Sequence, residues 1–89
     1  MICVTYWRKG PMVRARGHAG AGPRGQDLVC AAVTALLLTL RENGYGILEP
    51  GRAEIRGEKG AKPVFDGISR GFSLLAEHYP GHITYEIRG

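Results

Sequence analysis

The stretch from Leu28 to Leu40 is apolar on almost every side of the helix it spells, broken only by Thr34 and Thr39. A helix that apolar cannot lie on a surface with one face in water. It must be covered by a sheet and by something more. It is also too short to cross a bilayer core of about 30 Å. It therefore predicts the central helix of a small packed protein. Ahead of it, Gly17, Gly20, Gly22, Pro23 and Gly25 predict a loop over residues 17–26. Asp27 reads as the N-cap, its carboxylate accepting from the exposed first-turn amides. Asn43-Gly44 predicts the end of the helix, near Glu42.

The flanking segments alternate as strands do. Over residues 2–7, Ile2, Val4 and Tyr6 fall on one face and Cys3, Thr5 and Trp7 on the other. After a turn at Arg8 to Pro11, residues 12–17 predict a second strand, closing a hairpin and ending at His18. Tyr45 to Glu49 and Arg52 to Arg56 flank Pro50-Gly51, which predicts a second hairpin. Gly57 to Ala61 reads as a loop. Lys62-Pro63 then open a second helix, with Pro63 suited to its first turn. Phe65, Ile68, Phe72, Leu75 and Tyr79 form its buried stripe, and Gly67 and Gly71 suggest helix–helix contact. Pro80-Gly81 stop it, and residues 82–88 predict a last strand. The order ββαββαβ predicts one α+β domain over residues 1–89, with two helices on an antiparallel or mixed sheet.

A chain of 89 residues buries only roughly 60% of the surface that its unfolded form exposes. One sheet and one helix do not cover every apolar face of the first helix. A symmetric homodimer, joined partly through residues 36–40, is expected. Two cysteines make no secreted disulfide framework. Met1 leads straight into a strand pattern rather than a leader. A cytoplasmic protein without membrane contact is expected. The net charge of +4 and the pI near 9.4 suit anionic surroundings such as RNA, with Arg14, Arg16 and Arg24 the expected contacts.

His18 and Cys30 carry the chemistry. A thiol near a helix start is favoured as thiolate by the local positive potential. A nearby imidazole can take its proton or pair with the thiolate. Asp27, Cys30, Thr34 and Arg41 fall close to one stripe at helical spacing, so Cys30 faces something other than hydrocarbon. Gly20 to Gly25 spells GxGxxG, but a hairpin follows where a dinucleotide fold needs a parallel strand. Gly20 and Gly22 better suit a loop that closes over a ligand. His18, Cys30, His78 and His82 lack any recognisable metal-ligand spacing. No metal and no cofactor are expected. His78 and His82 read as exposed turn residues, and Cys3 as a core or barely reactive thiol.

Gly17-His18-Ala19, followed after the glycine-containing loop by Asp27-Leu28-Val29-Cys30-Ala31-Ala32, resembles the two boxes of the bacterial ribosomal-processing cysteine protease family, Prp. The short chain and the element order also fit. The resemblance implies an endopeptidase with Cys30 as nucleophile, His18 as general base and Asp27 as the acidic residue before the cysteine. It implies as substrate the precursor of a large-subunit ribosomal protein, the twenty-seventh by name, whose N-terminal extension is removed, and possible association with the ribosome. Two departures stand out. Thr34 replaces the family's usual serine, keeping the hydroxyl for a supporting role, and the chain is basic where members are often acidic. The alternative reading is a non-catalytic ribosome- or RNA-associated assembly factor.

Overall fold

The computed structural model describes residues 1–17 and 24–89, residues 24–27 by backbone alone. Strands β1 (Ile2–Trp7) and β2 (Met12–Arg16) form the first hairpin. Helix α1 (Arg24–Glu42) leads to a second hairpin of β3 (Gly44–Glu49) and β4 (Arg52–Gly57). Helix α2 (Lys62–His78) and strand β5 (Ile83–Arg88) complete the order ββαββαβ. The five strands make one mixed sheet, ordered β3-β4-β2-β1-β5, with β5 parallel to β1 and the other pairs antiparallel. Each helix is thus a crossover between parallel strands, α1 from β2 to β3 and α2 from β4 to β5.

Period-2 alternation sends one row of side chains from every strand beneath the helices. Val4 lies opposite Ala15, Tyr6 opposite Val13, and Val13 opposite Ile55, all buried. Val29, Val33, Leu37 and Leu40 of α1 and Phe65 and Phe72 of α2 close the core from above. A buried side chain of this size contributes about 1.5–3 kcal/mol. The two helices meet where Gly71 lets Leu36 approach. A Cβ there would stand 3.2 Å from the Leu36 Cδ1, whereas one on Gly67 would meet nothing within 4 Å. The expected glycine contact therefore involves Gly71 and not Gly67.

Asp66 on α2 is bound from two sides. The Tyr6 hydroxyl donates to its Oδ1 at 2.5 Å, and the Lys62 ammonium donates to both carboxylate oxygens. The Tyr6 bond, then Lys62, holds the Asp66 carboxyl below its ordinary range. Burial, then Asp66, pushes the Tyr6 phenol well above its ordinary value. Ser69, buried, shares a hydrogen bond with the Tyr85 hydroxyl. Together these polar contacts fix α2 over β1 and β5.

Several expectations shift. Helix α1 starts at Arg24, so Asp27 is its fourth residue and not its N-cap. Asp27 is a good cap in isolation, but local propensity alone does not place a helix boundary. Of residues 36–40, Leu37 and Leu40 belong to the chain's own core, Leu36 packs against it, and Leu38 is the exposed leucine. Cys3 is exposed rather than in the core. His78 is exposed but ends α2 rather than lying in a turn, and His82 is in the turn but half-buried, its buried Nδ1 without a partner among the described residues.

Candidate active site

A groove of about 440 Å³ opens between α1 and the β3–β4 turn. Cys30, Thr34 and Leu38 form one wall, Leu48 and Pro50 the other, and Gly17 stands at its rim. The floor is core, including Val33, Leu37 and Ala15. Its surface is mostly apolar, with an exposed thiol at its edge. A cleft of this kind suits an extended peptide with an apolar side chain.

Gly17 fixes where the chain leaves the sheet. Its φ is +103°, and a Cβ there would lie 2.2 Å from the Met1 carbonyl oxygen. Only glycine fits without strain. Its amide donates to the Gly51 carbonyl at 3.0 Å. The end of β2 and the tip of the second hairpin are thereby joined at one side of the groove. His18, Gly20 and Gly22 lie outside the described residues. His18 is nevertheless covalently next to Gly17, a residue of the same groove as Cys30.

The position of Cys30 within α1 changes the expected chemistry. It is the seventh helical residue, about 9 Å along the axis from Arg24. The helix-end field falls off within the first turn. Its own amide belongs to the helical ladder, where it bonds the carbonyl four residues back. That amide is not free to hold an oxyanion, as it would be in the first turn of a helix capped by Asp27.

Thr34 stands one turn on from Cys30, and its hydroxyl donates to the Cys30 carbonyl at 2.8 Å. It secures the helix backbone beneath the cysteine rather than touching the sulfur. Cys30, Thr34 and Arg41 are all exposed, as the polar stripe predicts. The opposite wall, Leu48 and Pro50, carried no sequence signal. It reaches Cys30 only because β4 pairs with β2 and brings the second hairpin alongside. Among the described residues no cluster of three or more metal-ligating side chains occurs, and no helix is long and apolar enough to cross a membrane.

The profile of a family described as Cysteine protease Prp matches residues 1–84. No curated protein matches the chain. Solved structures match over nearly all of it. One, described as an essential ribosomal processing protease Prp from S. aureus with a covalently linked product peptide, is 21% identical with a TM-score of 0.80, covering 99% of this chain and 100% of that one. A second from S. aureus, with a substrate peptide, is 20% identical with a TM-score of 0.81 and the same coverage. SMU.848 from Streptococcus mutans is 23% identical with a TM-score of 0.72, covering 98% of this chain and 91% of that one.

Proposed function

Because the chain belongs to the Prp family of cysteine proteases, we propose that it removes the N-terminal extension of a large-subunit ribosomal protein precursor, with Cys30 as nucleophile and His18 as general base. One observation carries this reading: Cys30 and Gly17, the neighbour of His18, line one mostly apolar groove of about 440 Å³. The S. aureus relatives are described as ribosomal processing proteases with substrate or product peptide bound, which supports the substrate class.

The steps follow from the residues. His18 takes the thiol proton as Cys30 Sγ attacks the scissile carbonyl, and returns it to the leaving amine. A thioester joins the N-terminal fragment to Cys30. Water, deprotonated by the same imidazole, attacks the thioester, and the proton passes back to the thiol. Hydrogen-bond donors for the oxyanion come from outside the helical ladder at Cys30. Gly20 and Gly22 lie in the segment that closes over the peptide and excludes water. Thr34 supports the nucleophile through the backbone, and Asp27 sits one turn before it on α1. No cofactor or metal takes part.

The protein works in the cytoplasm, as a symmetric homodimer in which exposed Leu38 is the available leucine of the 36–40 stretch. Sedimentation at micromolar concentration showing only monomer would refute the dimer. The test of function is incubation with the precursor followed by mass analysis. A single cut that releases the extension is expected. An intact precursor beside a folded, reduced enzyme refutes the proposal.

A further inference from the structure

The sheet face turned away from both helices is rich in arginine. By register, Arg14 and Arg16 of β2, Arg52 and Arg56 of β4 and Arg88 of β5 all point there, against Glu49, Glu54 and Glu86. Arg52 pairs with Glu49 and Glu54, and Arg88 with Glu86. Among the described residues, Arg14, Arg16 and Arg56 have no carboxylate partner. Arg16 lies directly opposite Arg52, an arrangement of like charges that costs a sheet stability and that a bound polyanion relieves.

Aromatic groups share this face. Trp7 lies opposite Met12 and Arg88, Met12 opposite Arg56, and Arg56 opposite Tyr45, one row crossing all five strands. The Arg14 guanidinium stands over the Trp7 ring at 4.8 Å and that of Arg88 at 5.6 Å. Tyr45 is 58% exposed, beside a concavity of about 200 Å³ lined partly by Met12 and Arg56. Trp7 and Tyr45 are three strand spacings apart, about 14 Å.

We propose that this face is a platform for single-stranded RNA, separate from the groove at Cys30 and acting whether or not a peptide is cut. Guanidinium planes and aromatic rings stack unpaired bases, while the arginine forks take phosphates. An acidic protein would satisfy the arginines but leave the exposed Tyr45 ring without a stacking partner. A second copy of the chain would bring two faces of equal net positive charge together. Glu54 and Glu86, in the adjoining row, offer acceptors for the 2′-hydroxyl that DNA lacks.

Trp7 is the chain's single tryptophan and reports binding directly. A twelve-nucleotide uridine-rich RNA should quench its fluorescence with a Kd of roughly 10⁻⁴–10⁻⁶ M, weakening as salt rises. Charge reversal in the double variant Arg16→Glu, Arg56→Glu should weaken binding at least tenfold, with the sheet intact by circular dichroism. If that variant does not fold, Arg16→Gln with Arg56→Gln should still weaken it severalfold. Cys30→Ala should bind as the parent does, which separates this test from that of proteolysis. No quenching, equal affinity for the matching DNA or for duplex RNA, quenching by polyphosphate or polyglutamate, or indifference to the arginine variants would each overturn the proposal.

Discussion

The amide of Gly17 donates to the carbonyl of Gly51 across 3.0 Å, clipping the end of β2 to the tip of the β3–β4 hairpin. Both residues line the groove that holds Cys30. The clip sets the direction in which the chain departs toward His18. Gly17→Ala should therefore damage fold and activity together. With φ at +103° and the Met1 carbonyl oxygen 2.2 Å from the new Cβ, the backbone must move. A loss of about 1–3 kcal/mol in stability is expected, visible in thermal unfolding. Cleavage should fall by at least about tenfold, because small displacements of reacting groups are costly. A variant with unchanged melting and turnover would show that the rim does not position the site.

The bond from Tyr6 to Asp66 makes a prediction about pH. The Asp66 carboxyl is held below its ordinary value of 3.8, first by the Tyr6 hydroxyl and then by Lys62. Its folded value is the lower one, so its contribution is present above the ordinary value and disappears as acid titrates the folded carboxyl. The Tyr6 phenol is raised above 10.0 by burial and by Asp66, so its contribution is present below that pH and is lost as alkali titrates the folded phenol. Tyr6→Phe should lower the urea midpoint at pH 7 and flatten the fall in stability between neutral pH and pH 3. An unaltered acid limb would remove the bond from the account.

Thr34 gives a sharper distinction. Its hydroxyl is engaged by the Cys30 carbonyl, so Thr34→Val should change kcat by no more than about threefold, the scale of one exposed side-chain bond. Thr34→Phe should raise KM, because it projects into the groove. A hundredfold loss of kcat in the valine variant would give the hydroxyl a part in the chemistry.

Much of this arrangement was legible from the residues. Alternation at Ile2, Val4 and Tyr6 marks the buried face of β1, and the Phe65–Phe72 stripe marks that of α2, because both patterns follow directly from backbone periodicity. The boxes around His18 and Cys30 point to the chemistry. The start of α1 lies four residues earlier than a cap at Asp27 implies, since Asp27 is a good cap in isolation and local propensity alone does not place a helix boundary. The groove wall at Leu48 and Pro50 was invisible, because only the β4–β2 pairing brings it to α1. The arginine face was half visible. Arg14 and Arg16 stood out near the loop, but Arg52, Arg56 and Arg88 join them only through strand register.

The depth of Cys30 within α1 bears on His18. With the thiol beyond the first helical turn, the helix end gives it little assistance. His18→Ala should reduce turnover by roughly 10²–10⁴-fold, the span for a lost general base. Alkylation of Cys30 at neutral pH should slow in the same variant, because the base proposed to take the thiol proton is gone. An unchanged alkylation profile would detach His18 from the thiol.

The nucleophile itself is tested most directly by comparing the two cysteines in cleavage of the ribosomal protein precursor, followed by mass analysis. Both are exposed, but only Cys30 lines the groove, while Cys3 lies on the arginine face of the sheet. Cys3→Ala should release the extension at the parent rate. Cys30→Ala should fold as the parent does, since alanine suits a helix interior, and should release none. Cleavage by Cys30→Ala at the parent rate, or its loss in Cys3→Ala alone, would contradict the account.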